Sequence, residues 1–165
     1  MTSPYPVLVG GEREMLEAWL DWHRDALARK CDGLPAEQLR QRAVPPSSMS
    51  LLGLVRHMAE VERGWFRRRI AGQDIAYLYA SADDDSDFND VDDADVEEAF
   101  TAWRAECDAA REVMRGVQSL DRTFVGFYGS TLSVRWVLVH MIEEYARHNG
   151  HADLLRERLD GSKGL

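Results

Sequence analysis

The chain has 165 residues, 45% of them hydrophobic and 30% charged, with a formal net charge of −9. That composition suits one globular domain able to bury about two-thirds of its unfolded surface, and it argues against nucleic acid or an anionic membrane as partner, since both require a basic surface. No apolar run approaches the ~20 residues of a membrane span, and MTSPYPVLVGGERE lacks the basic start and apolar core of a secretion signal, so the expected location is the cytoplasm.

The spacing of apolar residues predicts four long helices. The first runs from about Glu12 to Cys31, with Leu16, Trp19, Leu20, His23 and Leu27 on one stripe, and stops at Gly33-Leu34-Pro35. A short helical turn over 36–42 precedes Pro45-Pro46. The second long helix is capped by Ser48 or Ser50 and carries Leu51, Leu54, His57, Met58, Val61 and Trp65 on its stripe, with Gly72 closing it. An acidic stretch over 83–93 follows. Asp95 and Glu98, spaced like a capping box, open the third helix, whose stripe is Phe100, Trp103, Cys107, Ala110, Met114 and Val117. A loop over 120–130 containing Phe124, Phe127 and Tyr128 leads to the last helix, capped by Thr131 or Ser133 and ending at Asp160-Gly161. Four amphipathic helices with one long crossover, about 73–93, describe an all-α four-helix bundle. Cys31 and Cys107 lie far apart within helical patterns and read as half-buried free thiols.

The run WVLVHMIEEYARHNGHADLL carries His140, Glu144, His148 and His151, spaced by four, four and three residues. On a helix these stack on one face, with Cβ atoms ~6 Å apart. A carboxylate between imidazoles and turned toward a core needs a compensating charge, which a divalent metal would supply. His57, alone on an apolar stripe, reads as a core histidine. Opposite a ligand pair on the last helix it offers a third ligand, and three protein ligands leave coordination positions open. Spacing does not choose among Glu144/His148, His140/Glu144 and His148/His151. The bland alternative puts Glu144 on a solvated face with Glu143, Arg147 and Arg156. Asp85, Asp87 and Asn89 match the opening of a calcium loop, but Asp90 and Val96 stand where its glycine and final glutamate belong. That segment reads as a solvated crossover partly ordered by Phe88. Arg63, Arg67, Arg68 and Arg69 suit the negative end of the second helix, and Gly150 suggests close approach of another helix or a ligand.

PPSSMSLLGLVRHMAEVERGWFRR and TLSVRWVLVHMIEEYARHNGHADLLRE, some eighty residues apart, together resemble the DinB-like superfamily. More narrowly, the chain is similar to its actinobacterial branch, long classed as a domain of unknown function and labelled mycothiol transferase. The resemblance implies a four-helix bundle with a metal, zinc or nickel, held by one histidine of the second helix and two ligands four apart on the fourth. The second of these stands in an H-x-G context, which here is His148-Asn149-Gly150, so the implied triad is His57, Glu144 and His148. Many members have histidine at the place of Glu144; a carboxylate makes the site harder and bears on which metal it selects. His140 and His151 then become pocket residues that orient ligands or carry protons, and His140 is the substitute ligand.

The expected activity is transfer of a low-molecular-weight thiol, mycothiol by resemblance, to an electrophilic small molecule by a metal-activated thiolate. A hydrolase using metal-bound water and a non-catalytic metal or ligand-binding stress protein are the alternatives. A general base at His140 or His151 would favour chemistry, whereas backbone hydrogen bonds from both rings would favour binding. The aromatic content, including Phe124, Phe127 and Tyr128, further predicts a homodimer.

Overall fold

Three of the helices start at side chains that satisfy free amide groups. The computed structural model describes residues 5–79 and 85–164. Helix α1 (Glu12–Cys31) begins after Gly11 with Glu12 and Glu14 in its first turn, where acidic charge complements the helix dipole. A short α2 (Ala36–Arg40) follows. Of the two candidate caps for α3 (Leu51–Glu62), Ser50 is used, its Oγ accepting from the Gly53 amide at 3.0 Å. Asp95 caps α5 (Val96–Gly116) by accepting from the Glu97 and Glu98 amides. Ser133, not Thr131, caps α6 (Val134–Asp160), and Gly161 ends it in the left-handed conformation at φ +79°. Between α5 and α6, β1 (Thr123–Val125) and β2 (Thr131–Ser133) form an antiparallel hairpin with Phe124 opposite Leu132.

Helix α3 does not continue unchanged to Gly72. Over Arg63–Ile70 the coil widens, and the Ala71 amide donates to the Phe66 carbonyl five residues back at 2.9 Å. Wider turns bring residues five apart onto one face, and Trp65, Phe66 and Ile70 are all buried there. The change starts directly after Glu62, whose carboxylate is wholly buried and fixed by Arg24 and Tyr145.

Helix α1 packs mainly on α6 and α3 mainly on α5, with α3 also touching α6. Leu54, Met58, Leu138 and Met141 are fully buried between them. The arginines after Glu62 find partners instead of merely answering the helix dipole. Arg63 and Arg67 share Glu106, while Arg68 and Arg69 lie over the rings of Tyr77 and Phe127. Both cysteines are fully buried, not half-buried, and burial pushes the Cys31 thiol up to about 12 and raises Cys107 as well.

The crossover is strapped to α3. Glu60 Oε2 accepts from the Leu78 and Tyr79 amides at 2.8 and 2.9 Å, and the Arg56 guanidinium lies 4.2 Å from the Tyr79 ring centroid. Of the acidic stretch, Asp83 and Asp84 lie outside the described residues. Its later part forms a short helix, α4 (Ser86–Asn89), absent from the sequence reading. Gly53 permits this: a methyl group there would stand 3.4 Å from the Phe88 Cα and 3.2 Å from Ser50 Oγ, so α4 can lie directly on α3.

Gly150 behaves otherwise. It is exposed, and a methyl group there would meet no atom within 4 Å, so no helix approaches it. Gly150→Ala should therefore raise stability by about 1 kcal/mol, a gain of roughly 2–4 °C in melting temperature at unchanged metal content.

Burial pushes the His23 imidazole below its ordinary pKa of 6.5. The folded chain then binds this proton less readily than the unfolded chain, so stability is full above 6.5 and is lost as pH falls toward the folded pKa. Urea titrations of metal-free protein between about pH 5 and 7 should show this loss, and His23→Gln should flatten part of the slope.

Candidate metal centre

The sequence sets three donors on two facing helices. Ridge packing of α3 against α6 brings the His57 and His148 rings to 4.8 Å between centroids, so His57 faces α6. Four-residue spacing on α6 places Glu144 Oε2 3.4 Å from His148 Nε2. One donor atom each from His57, Glu144 and His148 lies within 4.8 Å of the others. Ligands about 2.0–2.2 Å from a tetrahedral ion stand roughly 3.4 Å apart, so the pair on α6 already has that spacing, and a modest inward turn of His57 would complete it. Two imidazoles and a carboxylate from facing helices are a donor set that could hold a divalent metal ion.

Both imidazoles are oriented through their other nitrogen. His57 Nδ1 lies 2.8 Å from Asp87 Oδ2, leaving Nε2 free, and the His57 ring stacks on Phe88 at 4.5 Å. His148 Nδ1 lies 3.4 Å from His151 Nδ1, leaving Nε2 toward Glu144. Such partners fix the ring and its tautomer, the usual arrangement around metal-binding histidines. Asp87 is 5% exposed and would be an unpaired buried carboxylate without His57.

Electrostatics agree with this division. The hydrogen bond with His148, aided by His140 and His57, holds the Glu144 carboxyl below the usual range despite its burial. Burial pushes His140 and His151 below 6.5, which leaves both rings neutral at pH 7. His140 lies one turn before Glu144, with Nε2 3.7 Å from Glu144 Oε1 and Nδ1 3.4 Å from Glu143 Oε2. His140, Glu143 and Glu144 form a second acidic group of suitable spacing. It is the weaker donor set, because Glu143 is exposed and already paired with Arg147. A separate cleft of 360 Å³ over Leu20, Phe66 and Met114 contains none of the histidines, and its buried Arg24 is taken by Glu62 and Asp21.

All five residues expected at the site thus lie on one continuous surface, with His57, Glu144 and His148 converging and His140 and His151 to either side. Asp87 entered the sequence reading only as the third position of a rejected calcium loop, and its pairing with His57 was not expected. The one pointer to it was adjacency to Phe88, the residue expected to turn inward. Asp87→Asn should keep the fold and lower metal affinity by about tenfold, measured by competition with a chelating dye.

No curated protein matches this sequence. A crystal structure of a conserved protein from Enterococcus faecalis superposes with a TM-score of 0.68 over 93% of this chain and 100% of that one, at 12% identity, a likeness of fold alone. The model of the mycothiol-S-transferase family matches residues 15–161, which include every residue of the site. On that match the chain belongs to the mycothiol S-transferase family.

Proposed function

We propose that this protein is a metal-dependent transferase joining a low-molecular-weight thiol, mycothiol by family, to an electrophilic small molecule. The observation that carries the reading is the convergence of His57, Glu144 and His148, which would hold the ion while leaving positions free for a substrate. Zinc suits two imidazoles and one carboxylate, and nickel is the alternative. A bound ion of this kind lowers the pKa of a thiol that reaches it, so that thiolate is present at neutral pH.

The chain's own residues supply the rest. Asp87 and His151 keep the two imidazoles turned toward the shared point. His140 is neutral, stands 3.7 Å from Glu144, and among the described residues makes no backbone hydrogen bond through its ring. Its Nε2 would take the proton that the thiol gives up on reaching the ion, before sulfur bonds to carbon and the leaving group departs with its electron pair. Among the described residues the His151 ring also makes no backbone hydrogen bond; it is engaged by His148. The absence of backbone bonds from both rings supports chemistry over mere binding.

Metal analysis of purified protein, followed by conjugation assays with mycothiol against glutathione and cysteine, tests the reading. One metal per chain with a preference for mycothiol is the expected result. Hydrolysis without thiol consumption, or bound metal with no turnover, would replace the transferase by one of its alternatives. Location in the cytoplasm accords with the absence, among described residues, of any helix long and apolar enough to cross a membrane. A homodimer would use the exposed Val125 and Tyr128 at the hairpin; light scattering showing a monomer at micromolar concentration discards it.

A further inference from the structure

We propose that the aromatic face formed by Trp65, Phe127, Trp136 and His140, with Arg69 at its edge, holds a planar anionic ring of the electrophile beside the metal centre. The inference deepens the transferase reading and rests on it for the word electrophile.

Four rings meet here without being closed off from solvent. Trp136 stacks on His140 at 4.8 Å with planes 18° apart, and Trp65 meets His140, Phe127 and Trp136 at 5.0, 5.2 and 5.5 Å. Trp65 is 7% exposed and forms the back of the wall, whereas Trp136 is 43% and Phe127 46% exposed. Large aromatic surface left open beside a polar site is surface available to a ligand ring, which would stack or meet it edge-on.

The wall is continuous with the metal centre. His140 belongs to it and also stands 3.7 Å from Glu144. Trp136 and Glu144 are eight residues apart on α6, about 12 Å along the axis, with His140 between them. Charge selects further. The Arg69 guanidinium lies 3.8 Å from the Phe127 centroid and 5.1 Å from that of Trp65. Among the described residues it has no carboxylate partner, whereas Arg63 and Arg67 share Glu106. In a chain of net charge −9, a partly buried cation that lies on aromatic rings and, among the described residues, faces no carboxylate suits a sulfonate, carboxylate or phenolate on the ligand ring.

Naphthalene-2-sulfonate is not an electrophile and therefore tests the subsite apart from catalysis. Titration followed by calorimetry and tryptophan fluorescence should show one molecule bound per chain, with cyclohexanesulfonate binding at least tenfold more weakly. Trp136→Ala should weaken the sulfonate about tenfold. Arg69→Met should do the same while leaving uncharged 2-naphthol unchanged, a discrimination that misfolding would not produce. Equal binding of the cyclohexane compound, or unchanged affinity in both variants, overturns the proposal. Binding that disappears as protein concentration rises, with Trp136 shielded in a dimer, overturns it in favour of a second copy of the chain. Sulfonate binding without thiol conjugation would fail the transferase and leave the subsite standing. Conjugation indifferent to aryl or alkyl electrophiles, with no sulfonate binding, would fail the subsite and leave the transferase standing.

Discussion

Glu144→Gln should lower affinity for the metal on the order of a hundredfold, because a ligand anion becomes a neutral amide of the same shape. The expectation comes from position and charge together. Glu144 is partly buried, its carboxyl is held below the usual range by the hydrogen bond with His148, and its oxygens lie between His140 and His148. Glu144→His should retain metal, since imidazole can replace carboxylate in a tetrahedral site. Glu143→Gln is the control. It is exposed, points about 100° around the helix from Glu144, and pairs with Arg147, so its loss should leave metal content unchanged. Chelator competition on the four proteins decides. Equal affinity in wild type and Glu144→Gln would remove this residue from the ligand set and leave His140 to complete it with His57 and His148.

Much of this site was legible because helices repeat. Four-residue spacing alone aligns His140, Glu144 and His148 on one stripe, and the place of His57 between Leu54 and Val61 directs it into the bundle. What spacing could not do was choose the ligand pair. That choice depends on which face of α6 meets α3, a property of packing and not of local sequence. The role of Asp87 escaped for a related reason. Its segment is acidic and short, and as α4 it rests on α3 where Gly53 leaves room and His57 pairs with its carboxylate. The widened coil after Glu62 was equally hidden. An apolar stripe does not announce that its next residue is a glutamate pinned by Arg24 from another helix, thirty-eight positions away.

That buried glutamate carries the largest expected effect on stability. Glu62 is 0% exposed and accepts from Arg24 Nε and Nη2 at 2.7 Å each and from the Tyr145 hydroxyl at 2.8 Å. Trp103 Nε1 donates to the same hydroxyl at 2.9 Å, so the network joins α1, α3, α5 and α6. Removing one partner of a buried ion pair leaves the other charge uncompensated, and Arg24→Ala should cost about 3–5 kcal/mol in urea denaturation. Tyr145→Phe deletes one donor to Glu62 and the acceptor of Trp103, and should cost about 1–3 kcal/mol. Arg24→Met with Glu62→Met should recover most of the loss, because the pair's mutual attraction largely offsets its desolvation and apolar side chains of similar length can fill the space. A loss under about 1 kcal/mol in Arg24→Ala would mean that the Tyr145 hydroxyl alone suffices to hold Glu62. The double variant also bears on the site. Tyr145 adjoins Glu144 on α6, and its bond to Glu62 ties α6 to α3. If stability returns in the double variant while metal affinity stays low, the network serves chiefly to aim Glu144 and His148 at His57. If both return, packing alone sets that angle.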